Sequence, residues 1–388
     1  MYNFDFYNPT RIFFGKDRLE VIDGQVPANA NVLITYGGGS AVRSGLIEKV
    51  KANLGSRKVF EFGGIEPNPQ YETLMKAVEV VRTEKIDYVL AVGGGSVIDG
   101  TKFITLAANY NGVASDLLKY GFMPVPLEVV SKTVPFGAVL TLPATGSEMN
   151  DGAVISFEHG KFPVMCELSY PKFSILDPQV TFTLPKIQVA NGIVDTFIHT
   201  AEQYMTFPVD ARIQDRWAEG ILLTLLEIGA TSLAEPENYD ARANLVWSAT
   251  MALNGIIGVG IPQDWTTHMI GHELTAKFGI DHGQTLAIVY PAVMDAMRVQ
   301  KQAKLLQYAE RVWNITTGSA DEKIDLAIQK TIEFFESLGI KTKLSKYGVT
   351  ADQIGDIVDQ LKAHGLTKLG ETQEITLEVS RKILEKAF

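Results

Sequence analysis

The chain has 388 residues, 46% hydrophobic and 21% charged, proportions that exclude intrinsic disorder and predict at least two globular domains. Its net charge of −10 repels nucleic acids and anionic membrane surfaces, so neither is expected as a partner. Cys166 is the only cysteine, which excludes an intrachain disulfide and favours a reducing compartment. The first residues have no basic segment followed by an apolar one, so we expect a cytoplasmic protein.

Short apolar runs alternate with helical patterns in the first half of the chain. Strands are predicted over 11–15, 31–36, 58–62, 88–92 and 138–142. Amphipathic helices are predicted over 42–51 and 71–85, from apolar residues at helical spacing. The repeated order of strand, glycine turn and helix predicts an α/β, Rossmann-like, doubly wound parallel sheet.

The second half has few β-branched runs and is predicted to be all α-helical. The predicted helices are 186–204, 211–226, 241–255, 266–278, 301–313 and 320–337. The uncharged run 243–263 contains too many polar residues and glycines for a membrane span. We therefore predict a dinucleotide-binding α/β domain over 1–185 and an all-helical metal-binding and substrate domain over 186–388.

Two Gly-Gly-Gly-Ser turns, 37–40 and 93–96, follow predicted strands. Glycines let backbone N–H groups approach a phosphate, and the next helix adds the positive end of its dipole. Neither turn matches the dinucleotide fingerprint, because Val42 and Ile98 occupy the positions of its third glycine. Tight turns without a ligand remain an alternative. Two such turns at strand carboxyl ends, with Thr145-Gly146-Ser147 after a third strand, favour a nucleotide cofactor.

Four of the six histidines lie between residues 199 and 282, close to Asp195. Asp195 and His199 are four residues apart on a predicted helix, as are His268 and His272, so each pair shares a helix face. A carboxylate with several imidazoles suits Zn²⁺ or Fe²⁺. Spacing leaves open which histidines ligate, although helix geometry alone favours the pair His268 and His272.

A metallopeptidase is the alternative that this region raises. His272-Glu273 begins a His-Glu-x-x-His pattern, but residue 276 is Ala276 and the second ligand is missing. His159 and His364 receive no predicted role.

Longer motifs make the chain similar to a known family. They are 6–12 (FYNPTRI), 93–99 (GGGSVID), 141–148 (TLPATGSE), 188–195 (QVANGIVD), 262–274 (PQDWTTHMIGHEL) and 281–283 (DHG). Over nearly its whole length the chain resembles the iron-containing (group III) alcohol dehydrogenases, most closely their NADPH-dependent aldehyde reductase or butanol dehydrogenase branch.

The resemblance implies a set of site residues. The implied metal ligands are Asp195, His199, His268 and His282. His272 is left beside the nicotinamide, where it is a candidate proton relay or a cofactor-packing residue. The implied cofactor-binding residues are Gly37, Gly38, Ser40, Asn68, Gly94, Gly95, Ser96, Asp99, Thr141, Thr145 and Lys161.

One departure from the family pattern concerns the cofactor. Members that prefer NAD carry an aspartate for the ribose hydroxyls where this chain has Gly37. Without that carboxylate a 2′-phosphate is not repelled, and Ser40 and Arg43 offer it a hydroxyl and a positive charge. NADPH is therefore expected in preference to NADH.

The resemblance implies reversible hydride transfer between the nicotinamide and a small aldehyde or primary alcohol, with one divalent metal, Fe²⁺ or Zn²⁺, as Lewis acid. It also implies a homodimer, with 6–15 as a candidate contact. The alternatives are a polyol dehydrogenase, a synthase that uses NAD only transiently, a metallohydrolase and a non-enzymatic nucleotide-binding module.

Overall fold

The structure is a computed structural model that describes residues 1–158 and 160–388, so His159 lies outside the described residues. The chain forms two compact units. One unit is Tyr7–Thr183, and the other combines Met1–Phe6 with Leu184–Phe388. The functional division into 1–185 and 186–388 stays a prediction.

The unit Tyr7–Thr183 is built on a parallel sheet. Its strands are β1 (Arg11–Phe14), β2 (Asn31–Tyr36), β3 (Lys58–Phe62), β4 (Tyr88–Gly93), β5 (Gly121–Pro124), β6 (Phe136–Leu140), β7 (Gly152–Phe157), β8 (Gly160–Met165) and β9 (Phe173–Leu176). Six of them pair in the order β1-β9-β6-β4-β2-β3, with every pair parallel. The others form a smaller sheet in the order β5-β8-β7.

Helices cover both faces of the six-stranded sheet. They are α1 (Ile22–Gln25), α2 (Ser40–Arg43), α3 (Leu46–Asn53), α4 (Tyr71–Thr83) and α5 (Gly95–Ala108). Ile34 of β2 is buried in one core with Ile47 and Val50 of α3. The next residue, Thr35, points to the opposite face, where its hydroxyl lies 2.6 Å from that of Thr101 on α5. The predicted doubly wound α/β fold is confirmed.

One strand of this sheet lies two residues earlier than predicted. The prediction of 138–142 is wrong because β6 ends at Leu140, opposite Gly93, where the neighbouring strand β4 also ends. Thr141 leaves the strand after donating its backbone N–H to the Gly93 carbonyl oxygen at 3.0 Å. Strands β5, β7, β8 and β9 were not predicted, since short runs such as β5 and β9 have too few residues to display a period.

The second unit is helical, as predicted. Its helices are α6 (Lys186–Tyr204), α7 (Arg212–Ala234), α8 (Tyr239–Ala252), α9 (Thr266–Phe278), α10 (His282–Ala296), α11 (Gln302–Arg311), α12 (Ala320–Ser337), α13 (Ile354–Ala363) and α14 (Leu377–Ala387). One short antiparallel pair interrupts them, β10 (Lys368–Leu369) with β11 (Ile375–Thr376). Helices α6, α9 and α12 match their predicted bounds.

Helix α10 was not predicted. Its residues from Leu286 to Met294 are buried without interruption, so the sequence shows no polar face from which to recognise a helical period. Pro291 lies inside the helix and further obscures the pattern.

Helix α6 lies in the middle of the largest core of this unit, and all its residues from Val189 to Tyr204 are buried. Phe197 packs edge-on against Phe335 of α12, with ring centroids 5.3 Å apart. Because this part of the helix is buried, its polar side chains are buried too and must find partners inside the protein. This arrangement places Asp195 and His199 in the interior.

Within the described residues, α7 is the one helix long and apolar enough to cross a membrane by length and composition alone. Leu222 and Leu225 of α7 are fully buried in the core that also contains Phe197. On the same helix Glu219 accepts a hydrogen bond from Tyr204 at 3.0 Å. One side of α7 thus packs into the core of the helical unit.

A buried ion triad joins four segments of the helical unit. The ammonium group of Lys301 lies 2.9 Å from Asp264 Oδ2 and 2.8 Å from Glu371 Oε1, and it donates to the Met205 carbonyl oxygen. Burial by itself lowers the pKa of Lys301, but the two carboxylates outweigh it and raise the pKa above its ordinary value. The charged lysine therefore holds the segment before α9 against the end of α6.

Lys301→Met tests this triad. The variant leaves two buried carboxylates without a counter-charge, so we expect unfolding to become easier by about 3–5 kcal/mol. Chemical denaturation followed by circular dichroism measures the loss. Lys382→Met is the control, because its partner Glu378 is exposed and such pairs contribute about 0–1 kcal/mol. Equal effects of the two variants would contradict the role assigned to Lys301.

Candidate active site

A carboxylate and three imidazoles meet inside the helical unit. Asp195 and His199 lie on α6, His268 lies on α9, and His282 is the first residue of α10. Asp195 Oδ1 is 3.4 Å from His199 Nδ1, 3.8 Å from His268 Nε2 and 3.7 Å from His282 Nε2. The rings of His199 and His268 stack with centroids 4.5 Å apart. One carboxylate oxygen is thus at the centre of three ring nitrogens.

The donor set of this cluster fits a divalent cation. Asp195, His199 and His268 are at most 5% exposed, and His282 is partly exposed. Among the described residues, Asp195 Oδ1 and His268 Nε2 have no hydrogen-bond partner, although both are buried. Ligand atoms of Asp195, His268 and His282 lie within 4.8 Å of one another. Buried polar atoms without partners are uncommon, and a shared ion would satisfy them.

The carboxylate and the imidazoles of the cluster shift one another's pKa values towards their charged forms. Burial raises the pKa of Asp195, but the nearby imidazoles, His199 above all, outweigh it and hold the pKa well below its usual range. Burial lowers the pKa of His268, yet Glu202 and Asp195 raise it to about 9. The imidazoles therefore favour the ionised form of Asp195 in the protein interior.

A glycine lets α10 approach α6. Asn191 of α6 donates a hydrogen bond from Nδ2 to Asp281 Oδ2 at 2.9 Å, just before α10 begins. A Cβ atom on Gly283 would lie 2.6 Å from the Asn191 carbonyl oxygen, so any other residue would push the two helices apart. The motif 281–283 thus brings His282 to Asp195 through close backbone packing.

His272 lies one turn beyond His268 on α9 and is partly buried. Its ring centroid is 5.1 Å from that of His282 and 6.1 Å from that of His268. The described group of close ligand atoms consists of Asp195, His268 and His282, and it includes neither His199 nor His272. Helix spacing favoured the pair His268 and His272 because both lie on α9. The observed group instead combines residues from three helices, α6, α9 and α10.

Glu202 is a site residue that the sequence analysis missed. Its Oε2 contacts His268 Nδ1, and its Oε1 accepts the backbone N–H of Thr267 at 2.6 Å. Glu202 is 2% exposed and lies three residues after His199, on the same side of α6. That spacing is the signal that could have identified it.

The first glycine turn, between β2 and α2, is open. Gly38 is exposed, and a Cβ atom there would meet no atom within 4 Å, so packing within the protein does not require a glycine. Gly39 has a φ of 93°, a conformation that favours glycine. Ser40 is exposed, and Arg43 Nη1 lies 3.5 Å from the Gly38 carbonyl oxygen. The turn presents backbone, a hydroxyl and a guanidinium together.

The second glycine turn is more tightly packed. Helix α5 begins at Gly95, and a Cβ atom on Gly95 would overlap the Thr145 side chain. Nearby, Asn68 donates its backbone N–H to Ser96 Oγ at 3.3 Å and accepts from Lys161 Nζ at 2.9 Å through Oδ1. The structure therefore brings together several predicted cofactor residues. Two of them, Asn68 and Lys161, are 93 positions apart in the sequence.

Asp99 of α5 bonds to the segment that follows β6 and to β7. Its carboxylate oxygens accept hydrogen bonds from Ser147 Oγ at 2.7 Å and from the Val154 backbone N–H at 2.9 Å. On the same helix, Lys102 donates to Asn150 Oδ1 at 2.6 Å, and burial lowers the pKa of Lys102 to about 8. Both oxygens of Asp99 thus accept hydrogen bonds from protein groups, which tie α5 to the turn at Ser147 and to β7.

Two family models cover the chain. The iron-containing alcohol dehydrogenase model matches residues 9–178, and the model of the C-terminal part of the same family matches residues 189–388. The protein belongs to the iron-containing alcohol dehydrogenase family, and the resemblance inferred from its motifs is confirmed. It is therefore an enzyme, an oxidoreductase.

Individual relatives agree with the family assignment. The chain is 56% identical to the NADPH-dependent aldehyde reductase YqhD of Escherichia coli K12, over 100% of both chains. It is 40% identical to a probable NADH-dependent butanol dehydrogenase of Bacillus subtilis, over 94% of this chain and 95% of that protein. A crystal structure of E. coli YqhD superposes with a TM-score of 0.97 and 56% identity, covering 100% of this chain and 99% of that chain.

Gly283→Ala tests the close packing of α10 on α6. The added methyl group meets backbone atoms that cannot rotate away, so we expect a loss of about 1–3 kcal/mol in the free energy of unfolding. Thermal unfolding measures it. Gly220→Ala is the control, because Gly220 is exposed on α7 with open space around it, and alanine there should stabilise the helix by about 0.5–1 kcal/mol. If Gly283→Ala had the same free energy of unfolding as the wild type, the close packing of α10 on α6 would not require glycine at residue 283.

Proposed function

We propose that the protein is a metal-dependent, NADPH-linked aldehyde reductase that also oxidises small primary alcohols. The observation that carries the proposal is the buried Asp195 carboxylate at the centre of three imidazoles, in a chain 56% identical to an NADPH-dependent aldehyde reductase. The names of other relatives, which are butanol dehydrogenases, support short-chain substrates.

We propose Asp195, His199, His268 and His282 as the ligands of one divalent metal. One carboxylate and three imidazoles suit Fe²⁺ and Zn²⁺ alike. When bound, such an ion supplies Lewis-acid chemistry that stabilises the negative charge developing on a carbonyl oxygen during reduction. Asp195 contributes the negative charge that retains a cation in the interior, and its low pKa keeps that charge at neutral pH.

We propose that NADPH binds to the two glycine turns of the α/β unit. The residues assigned to it are Gly37, Gly38, Ser40, Asn68, Gly94, Gly95, Ser96, Asp99, Thr141, Thr145 and Lys161. The open backbone at Gly38 and the start of α5 at Gly95 suit phosphates. Arg43 beside Gly38 suits the 2′-phosphate, and Asp99 acts through the turn that it holds.

His272 is our candidate for moving the proton that reduction of an aldehyde requires. Imidazole exchanges protons near neutral pH, and the partly buried His272 ring lies 5.1 Å from that of His282. The other role proposed for His272 is packing against the nicotinamide.

We also propose a cytoplasmic homodimer. Strand β1 is at one edge of the six-stranded sheet, where it pairs with β9. Tyr7 is 74% exposed and Phe14 is 37% exposed, which gives the segment 6–15 apolar surface for a second copy.

His282→Ala tests the metal centre. The variant should lose bound metal and reduce aldehydes at least about 10²-fold more slowly, the order of effect seen when one electrostatic stabiliser is removed. Elemental analysis of the purified protein and NADPH oxidation with a panel of aldehydes measure the two quantities. His364→Ala, a histidine of the same unit that bonds to Glu273, should retain both. Full activity of a metal-free variant would overturn the mechanism, and activity without NADPH would indicate a hydrolase.

Arg43→Ala tests the cofactor preference. Loss of one charged hydrogen-bond donor should raise the Kd for NADPH about 10-fold and leave that for NADH unchanged. Cofactor fluorescence titration measures both constants. Arg212→Ala is the control, because Arg212 is an exposed arginine of the helical unit that pairs with Asp210. If the wild-type protein used NADH and NADPH equally well, the proposed preference for NADPH would be contradicted.

A further inference from the structure

We propose that Glu202 is a positioning residue of the metal centre. It fixes the orientation of His268 and holds a ring proton on Nδ1, so that Nε2, which faces Asp195, is the nitrogen left for a metal ion. This inference rests on the proposed function, since it concerns how one of the proposed ligands is held.

Glu202 is itself held on two sides. Its Oε1 accepts the Thr267 backbone N–H at 2.6 Å, and its Oε2 contacts His268 Nδ1. Thr267 and His268 are consecutive residues of the first turn of α9, so a single carboxylate grips both the backbone and a side chain. Glu202 has little freedom to move away, because it is 2% exposed and lies in the buried part of helix α6.

The chemistry of the contact determines the tautomer. An ionised carboxylate only accepts hydrogen bonds, so His268 must carry a proton on Nδ1. In the neutral ring the other nitrogen, Nε2, then has the lone pair that a metal requires. That atom lies 3.8 Å from Asp195 Oδ1 and has no hydrogen-bond partner among the described residues. The unsatisfied nitrogen is thus the one directed into the cluster.

The start of α9 does not depend on Glu202 alone. Asp264 Oδ1 accepts the Thr266 backbone N–H at 3.0 Å, and Asp264 Oδ2 is bound to Lys301. The Asp264 backbone N–H also bonds to the Glu202 carbonyl oxygen, a contact that survives any change of the Glu202 side chain. A variant at position 202 can therefore fold with α9 in place.

Glu202→Gln separates positioning from packing. If the glutamine oxygen keeps the bond to Thr267, the amide NH₂ group faces His268 Nδ1 and turns it into an acceptor. The ring proton then moves to Nε2, where it blocks the metal. If the glutamine amide is rotated by 180°, its oxygen again accepts from His268 Nδ1, but its NH₂ group then faces the Thr267 backbone N–H, and both are donors. We expect the Kd for Zn²⁺ to rise about 10–100-fold.

Glu273→Gln is a matched control. Glu273 is a buried glutamate on α9, the helix that carries His268, and its Oε1 lies 2.8 Å from His364 Nδ1, so this variant also removes one Glu–His pair. Its stability should fall as that of Glu202→Gln does, while its Zn²⁺ affinity stays that of the wild type. A purely structural role for Glu202 predicts that the two variants behave alike.

The measurement is competition for Zn²⁺ between each metal-free protein and a chromophoric chelator, together with thermal unfolding of the metal-free proteins. The visible spectrum of the Co²⁺-substituted proteins reports whether His268 still ligates, and it should change in Glu202→Gln only. Unchanged Zn²⁺ affinity in Glu202→Gln, with a wild type that binds Zn²⁺, would overturn the role of Glu202. A wild type that binds neither ion would instead overturn the proposed metal centre.

Discussion

The rest of the helical unit is arranged around one constraint, a carboxylate that stays ionised in the protein interior. Transfer of such a charge from water is costly unless it is paired. Asp195 meets this requirement with imidazoles from three helices, which must be brought together at fixed angles. The close approach at Gly283 and the ion triad at Lys301 both serve that convergence, because each fixes one of the helices that carry a histidine.

The α/β unit carries the residues that we propose to bind the cofactor. Its strands end together at one edge of the sheet, so the turns after β2, β4 and β6 are neighbours. Inside the unit, each carboxylate oxygen of Asp99 accepts a hydrogen bond from a protein group, one of them the hydroxyl of Ser147. The open turn at Gly38, in contrast, has nothing packed on it. The first feature is explained by packing, and the second is where we propose that the cofactor binds.

Much of this organisation could be predicted from the sequence, and the exceptions have physical causes. Helices α6, α9 and α12 match their predicted bounds; α9 ends at a glycine and α12 begins with a capping box formed by Ser319 and Glu322. Helix α10 escaped prediction because a helix buried all round has no polar face. Strand β6 was misplaced by two residues because its end is set by the neighbouring strand.

By itself the sequence determined the family, the two kinds of fold and the residue types of the site, because motifs and periodicity are local properties. Only the tertiary structure decided which atoms meet. Asp195 and His282 are separated by 86 intervening residues, and no pattern within one helix reports their distance. Glu202 lacks a motif of its own, and its place in the site is seen only from its contacts with Thr267 and His268 of α9. Contacts between distant segments depend on how whole helices pack, which local spacing does not encode.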